Sequence, residues 1–526
     1  MKKIFFLITF FILYLNGFNQ NQKWEVYLGV SNRIDYVSDL IETYDNGYFL
    51  VGGFEYEKGW NTKTDINGNV LWDKVFEYTY PMYGSTASID ENGNHYYCGT
   101  LWVNETISWP SITKLDSCGN KQWCKIIVDN LYMYGGSRDL LINEEGELVL
   151  LARFESTEKI NQIFLIGFDV NGNILWTNPY ASKKNYPGIG LASPRKLSKF
   201  NDIYIITGYC YWPFPDNPNH KYLRPFFIGI DSLFNEKWIL PFAVMDSVYG
   251  EAYSVIAVND SIYMGIGERL LEGYNMNSLL MFFNNYGQEF GYNQIPNEAI
   301  NPNIDFNVIG DIERINDSLF LTTSFLGIGM ETYFGEFVLD TTGKIHNLAI
   351  RDIYIGMSTL IKTFDNKFVI EVEIAENKGD YDILLYKIDE NLESVPFDTN
   401  QYTYDSLCPN QIQSSTIDLS DCLIWTDIGE TPTPEEYYAK LKTIPIKVFP
   451  NPAKENITFG FENTKNHKNM QLECFDVFGH NVHKEKIYNR QLEAEINISL
   501  WNEGLFVAII ISEGKVLGKV KFVVLK

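Results

Sequence analysis

Residues 62–76 read TKTDINGNVLWDKVF: a short strand, an Asp, a tight Asn-Gly turn, and a second strand headed by Trp72. Asn-Gly between β-forming runs is the strongest local hairpin signal, because both residues accept positive φ. The phrase returns as ITKLDSCGNKQWCKII from Ile112 and IGFDVNGNILWTNPY from Ile166. Weaker copies start at Ile228, Met281, Phe337 and Leu385, and the turn-opening residues are Asp65, Asp116, Asp169, Asp231, Asn284, Asp340 and Asp389. They are spaced by 54 residues on average. A second phrase, a polar turn followed by an apolar strand, precedes each copy; DNGYFLVGG from Asp45 and EEGELVLLA from Glu144 are examples. Two hairpins per period predict four short strands per repeat, and four-stranded units recurring at such a period predict a β-propeller.

The expected architecture is therefore all-β: a seven-bladed β-propeller over residues 21–398, seven repeats, followed by a small C-terminal β-sandwich. Trp24 to Leu28 reads as an eighth copy of the Trp-headed strand with no repeat of its own, so it is expected to complete the last blade. The D-x-N-G-N turns are not EF-hand loops. Their Gly is fourth rather than sixth, and the twelfth position falls on Phe76 or Tyr180 instead of Glu.

Composition narrows the function. The 526 residues are 45% hydrophobic and 15% aromatic, with a net charge of −25. That charge argues against nucleic acid, whose phosphates call for clustered Lys and Arg. Lys2 and Lys3 precede an apolar run from Ile4 to Leu15, so residues 1–20 are expected to be a secretory signal peptide, although no A-x-A site follows. The run is too short to span a bilayer, and no later stretch predicts a transmembrane segment in the mature chain. Cys118 and Cys124 flank a Gly-Asn turn, and Cys408 and Cys422 form a second close pair; each pair is expected to be a disulfide. Cys98 and Cys210 lie in apolar runs and are expected to be buried thiols. No cofactor or metal is expected.

Residues 399–443 are expected to be a linker carrying the second disulfide, with an extended, solvated stretch from Thr431. From Ile444 the charge balance changes: 11 Lys/Arg stand against 9 Asp/Glu, leaving −27 on the rest of the chain. The segment 444–526 contains Val448-Phe449-Pro450-Asn451-Pro452-Ala453, then Phe475-Asp476-Val477-Phe478-Gly479, then Glu503-Gly504-Leu505-Phe506-Val507, and ends with Gly518-Lys519-Val520-Lys521-Phe522. These four blocks, in order, resemble the C-terminal sorting domain of the type IX secretion system of Bacteroidetes-type bacteria. Asn502-Glu503-Gly504-Leu505-Phe506 lacks the Pro and Tyr usual at the third block. The resemblance implies export across both membranes, with the secretion machinery and a cell-surface sortase as partners, and a secreted or outer-surface location.

The sequence shows no catalytic motif in a suitable context, and His95 and His346 are expected to be structural. The expected role is non-enzymatic binding of a glycan or a protein at the surface. A secreted polysaccharide-processing enzyme and a structural scaffold are the alternatives, since carboxylates are too many to single out a pair. The loops joining second to third strands, and one repeat to the next, are long and aromatic. Trp102, Trp109, Tyr132, Tyr134, Trp212, Phe214 and Tyr274 are the candidate binding residues, with Tyr80, Tyr83 and Tyr186 beside them. The proline-rich stretch Tyr211 to His220 is expected to be a stiff loop.

Overall fold

The computed structural model describes residues 23–526 except 31–32, 56–57, 79–81, 105–106, 130, 157–160, 183–185, 187–188, 190, 202, 215–216, 244–248, 271–275, 330, 352, 354, 378–379, 427–430, 442–443, 462–468, 489–490 and 513–514. The expected signal peptide lies outside the described residues. The chain is all-β and divides into two compact units, 1–431 and 432–526.

In the first unit the strands follow one another in antiparallel groups of four. Sheet 1 is Asp35–Glu42, Tyr48–Phe54, Lys58–Thr64 and Val70–Glu77. Sheets 2 to 6 span 82–127, 132–180, 192–241, 252–295 and 306–351. Sheet 7 takes three strands from 355–388, and its fourth is Glu25–Leu28, paired antiparallel with Asp380–Ile388. The N-terminal strand thus completes the last group. Second strands are covered on both faces, and Tyr48–Phe54 is buried at every position. Fourth strands sit at an edge, and Val70–Glu77 alternates between buried and open positions.

The Asx turns close as their composition dictates. Asp65 Oδ1 accepts the N–H groups of Asn67 and Asn69, both at 2.8 Å, while Oδ2 accepts the Asn69 amide, and Gly68 takes φ +78°. Three Trp residues at the fourth strands reach the turn of the next sheet. Trp24 Nε1 donates to Ile66 O at 2.9 Å, Trp123 Nε1 to Val170 O at 3.2 Å, and Trp238 Nε1 to Asn285 O at 2.9 Å. Trp176 instead packs on Phe234, ring centres 4.5 Å apart. One repeated residue therefore terminates a sheet and joins it to its neighbour.

The disulfide pairing differs from the expectation. Cys118 is bonded to Cys408 and Cys124 to Cys422, across 290 and 298 residues. All four cysteines are oxidised, but not within their local pairs. Cys118 sits in the Asx turn, its N–H held by Asp116, while Cys124 lies on the outgoing strand. Three strand residues carry the chain roughly 10 Å, beyond the Cα spacing a disulfide accepts. Cys98 and Cys210 are buried and free, as is Cys474.

The linker assignment also fails, because residues 399–425 belong to the body. Ser415–Asp418 adds in parallel to the fourth strand of sheet 1, and Leu423–Trp425 to that of sheet 2. Buried Lys63 places Nζ 2.6 Å from both Asp45 and Asp405, and Trp72 Nε1 donates to Asp405 at 3.0 Å. This segment is a strap over two sheet edges, which would otherwise offer unpaired backbone groups. The stretch after Thr431 is helical rather than extended: Pro434–Leu441 is an α-helix. Thr433 and Glu436 form a reciprocal capping box, with Thr433 N–H on the Glu436 carboxylate at 2.9 Å and Glu436 N–H on Thr433 Oγ1 at 3.3 Å; Pro434 occupies the first helical position.

The second unit has two antiparallel sheets. One comprises Ile446–Phe449, Asn456–Phe461 and Glu493–Asn497; the other comprises Met470–Asp476, Asn481–Ile487, Gly504–Ser512 and Lys515–Val524. Their inward residues, among them Phe459, Leu472, Ile496, Phe506 and Phe522, share one core.

Candidate functional site

Every first strand of the body carries a β-bulge at the same place, between Val37 and Asp39 in sheet 1 and between Ser137 and Asp139 in sheet 3. The same irregularity falls at Gly84/Thr86, Pro194/Lys196, Ala252/Ser254, Ile309/Asp311 and Ile355/Ser358. A bulge re-aims one side chain. In sheets 3, 4 and 5 the extra residues are Arg138, Arg195 and Tyr253.

The residues just after the bulges are charged in several sheets, and they hold neighbouring sheets together. Asp139 accepts its own neighbour Leu140 N–H at 2.8 Å and Leu197 N–H of sheet 4 at 2.7 Å. Asp39 does the same for Leu40 and Ala87, and Asp311 for Ile312 and Leu360. Lys196 Nζ lies 3.7 Å from Asp311. Burial pushes the Asp139 carboxyl up to about 6; burial and the Asp311 charge push Glu313 up to about 7. The lone pairs of the three aspartates serve backbone donors, so they act as inter-sheet clasps.

A different chemistry gathers where sheets 2 and 3 meet. The first strand of sheet 3 approaches sheet 2 closely enough for a parallel bridge between Tyr134 and Ser108, and Ser108 Oγ donates to Gly135 O at 3.0 Å. Gly136 permits this approach, since a Cβ there would stand 2.4 Å from Thr100 Oγ1. The bridge sets Trp102, Ser108, Tyr134 and Glu155 in one row over four strands: Trp102 pairs with Ser108, and Tyr134 with Ser108 and Glu155. A pocket of about 370 Å³ opens there, lined also by Arg138 and Arg153. Arg153 is held by Glu155 at 2.6 Å and by Ser193 at 3.3 Å. Arg138 has no ion-pair partner among the described residues. The protein that replaces water around it pushes its guanidinium down to about 10, and the charges of Arg153 and Arg195 act in the same direction. The buried Trp102 indole N–H also meets no acceptor among the described residues. Arg195 lies over Tyr209 and Tyr253, 5.7 and 5.6 Å from the ring centres, and pairs with Glu251.

The opposite ends of sheets 4 to 6 hold larger clefts. One of about 790 Å³ is lined by Lys199, Asp260 and Arg314, and one of about 420 Å³ by Trp238, Tyr263 and Tyr286. Their main cations and the indole are already engaged: Lys199 with Glu144 at 2.6 Å, Arg314 with the carbonyls of Ala257 and Val258, Trp238 with Asn285. The smaller pocket at 102–155 is the stronger candidate because its donors are free.

Of the aromatic residues predicted from sequence, the structure brings Trp102 and Tyr134 together in the pocket, whose lining does not include Trp109, Tyr132 or Trp212. Trp109 is only 6% exposed, packed against Phe154. Tyr132 packs on Phe154 and Phe164, ring centres 5.5 and 6.3 Å apart. Trp212 is half-buried on the hairpin Ile203–Phe214/Asn217–Asp231 and does not line this pocket. That hairpin replaces the stiff loop expected at 211–220, because paired strands run to Phe214 and resume at Asn217. Tyr186 donates to Glu236 at 2.9 Å. The Phe214 side chain, Tyr80 and Tyr274 lie outside the described residues. Arg138, Arg153 and Arg195 were missed. Aligning first strands on their buried residues, Leu40, Ala87, Leu140, Leu197, Val255 and Ile312, would have set Arg138 and Arg195 in one column.

In the tail, Asn451 Oδ1 accepts Val523 N–H at 2.9 Å, fixing the Pro450-Asn451-Pro452 segment to the last strand. Asp476 Oδ1 accepts the N–H groups of Phe478 and His480, and Gly479 takes φ +84°. Gly504 opens its strand, and Lys519 and Lys521 are exposed at alternate positions of the final strand.

Residues 447–525 match the model of the secretion system C-terminal sorting domain, the type IX tail expected from the sequence. The protein is accordingly secreted or placed at the cell surface, and the tail engages the type IX machinery. No helix among the described residues is long and apolar enough to cross a membrane. No curated protein matches the sequence. Among solved structures, the chain is similar to a polysaccharide lyase of family PL25, an ulvan lyase, at 9% identity and TM-score 0.48, covering 70% of this chain and 95% of that one. It is also similar to Drosophila Plexin A in complex with Semaphorin 1b, at 9% identity and TM-score 0.40, covering 70% and 87%. A protein of unknown function from Bacteroides caccae follows at 9% identity and TM-score 0.32, covering 58% and 93%. Such distant likenesses carry no statement about what this chain binds.

Proposed function

We propose that the body is a closed seven-bladed β-propeller, exported through an N-terminal signal peptide at 1–20 and a β-sandwich tail, and that it binds a surface glycan without catalysing a reaction. Closure is supported by the contacts of the first strands: each touches the next, and that of sheet 7 touches that of sheet 1. The Trp24–Ile66 hydrogen bond joins the same two sheets at their outer edges. The tail is the export signal, and a surface sortase is its further partner.

The observation that carries the binding role is the row Trp102–Ser108–Tyr134–Glu155, with its unpaired donors beside two aromatic rings. Aromatic faces with polar groups at their rims suit the C–H faces and hydroxyls of sugars. The non-catalytic reading is supported by Asp39, Asp139 and Asp311, whose carboxylates are occupied by backbone N–H groups. A glycan and peptide array probed with the full chain tests the proposal. Trp102→Ala is expected to weaken capture about tenfold, the loss of one buried aromatic contact, at unchanged melting temperature. Equal loss of binding and stability, or capture indifferent to Trp102, contradicts it.

A further inference from the structure

We infer that the pocket at the junction of sheets 2 and 3 selects a sugar bearing a negative group, a carboxylate or sulfate ester, through Arg138; this rests on the glycan-binding role proposed above.

The chain carries −25 overall and has nine arginines, yet three of them converge here. Two are neutralised locally, Arg153 by Glu155 and Arg195 by Glu251. Arg138 is not, so the cluster retains one cation with its five N–H donors available. Arg138 is exposed at the pocket, and a guanidinium held among the like charges of Arg153 and Arg195 gains from an anion that hydrogen-bonds it directly. Trp102 lies in the same lining, and its buried indole N–H meets no acceptor among the described residues. Tyr134, 37% exposed, offers a ring face on the opposite strand. The set matches one anionic substituent on a ring: a cation, a neutral donor and a stacking surface.

The strands also argue against an acidic peptide. An extended peptide gains its affinity by adding to a free sheet edge. Here the row is paired without interruption from Trp102 through Ser108, Tyr134 and Glu155 to Asn161. Within that row the backbone groups of neighbouring strands face one another, so recognition there falls to side chains.

Titration calorimetry of the full chain with hexagalacturonate and with its methyl ester separates charge from shape. The acid is expected to bind at least tenfold more tightly than the ester. Arg138→Gln should weaken the acid by roughly 10- to 100-fold, the range for losing a charge-assisted hydrogen bond, weaken the ester several-fold less than the acid, and keep the melting temperature. Arg138→Lys should restore part of the loss. A chondroitin sulfate hexasaccharide distinguishes sulfate from carboxylate; binding of either anion with this Arg138 dependence supports the inference. Equal binding of acid and ester, both indifferent to Arg138, overturns it while the glycan role stands. Binding of decaglutamate as tight as that of any sugar, and lost in Arg138→Gln, overturns the sugar class. Failure of every sugar to bind brings down the glycan role as well.

Discussion

At the end of the sheets where third strands turn into fourth, polar side chains close on themselves. Asp65, Asp116, Asp169, Asp231 and Asp389 each spend a carboxylate oxygen on two N–H groups of their own turn, and the neighbouring Trp caps the next sheet. At the other end of sheets 2 and 3, Arg138 and the Trp102 indole have no such partner among the described residues. Repetition marks the first end and departure from repetition the second. A residue type that recurs in every sheet answers a need every sheet has, which is to be joined to its neighbour. A side chain that varies from sheet to sheet at a recurring bulge, as Arg138, Arg195 and Tyr253 do, answers something else. Damage at the repetitive end should therefore appear in stability, and damage at the irregular end in binding.

The largest effect is expected from removing residues 23–30. That deletion withdraws the fourth strand of sheet 7, leaves Asp380–Ile388 as an open edge, and empties the site of Trp24, which is 1% exposed. Loss of a buried Trp alone costs about 3–5 kcal/mol, and the missing strand adds to it. Denaturant melts of the deleted and full chains measure it. A melt displaced by less than the equivalent of a single surface substitution would show that the N-terminal strand does not join the ends of the body.

The disulfides come next. Peptide mapping without reduction should find Cys118 with Cys408 and Cys124 with Cys422. Replacing Cys118 and Cys408 by Ser should cost roughly 3–5 kcal/mol, because the bond closes a very long loop of the unfolded chain. Glycan binding at Trp102 should survive. Local pairs in the map would break the comparison, since the strap would then be free of the regular end.

The same contrast explains what could be read in the sequence. Hairpins, Asx turns and the orphan Trp24 strand are local signals, written within about ten residues, and they repeat. The four tail blocks are equally local. The strap is not: its strands add to sheets some 300 residues away, and Ser415–Asp418 looks like any short polar stretch until Val70–Glu77 is beside it. Cysteine pairing is hidden for the same reason, because proximity along the chain was the only cue and the turn geometry forbids it. The Thr433–Glu436 capping box was legible and was obscured by the prolines around it. The pocket was half legible. Aromatic loops pointed to Trp102 and Tyr134, but whether a ring faces solvent or Phe154 is decided by packing between sheets, and the sequence showed no difference between Tyr134 and Tyr132.

The smallest of the stability effects depends on pH and belongs to His95. Its ring lies between Phe49 and Trp72, centres 4.7 and 5.6 Å away, and is 2% exposed. Burial, together with the nearby Lys63 charge, holds its pKa down at about 4, against 6.5 for a free imidazole. The folded state therefore resists a proton that the unfolded chain accepts. Above pH 6.5 neither state is protonated and the contribution to stability is whole; as pH falls from 6.5 towards 4 the unfolded state gains a proton the folded state refuses, and stability drains away. A gap of this size is worth about 3 kcal/mol at its full extent. His95→Phe, which keeps an aromatic ring in the slot, should abolish the gain in stability that His95 contributes as pH rises from 4 to 6.5 and leave the melt at pH 7.5 within about 1 kcal/mol of the wild type. The rise of the Asp139 carboxyl to about 6 works in the opposite sense: its burdensome ionisation makes the fold lose stability as pH rises from the ordinary carboxylate range through 6. The two slopes oppose one another over that interval, so removing His95 should expose the falling limb that Asp139 contributes. If the wild-type and His95→Phe melts track each other across the whole range, His95 titrates normally in the folded protein and is not enclosed at the regular end of the sheets.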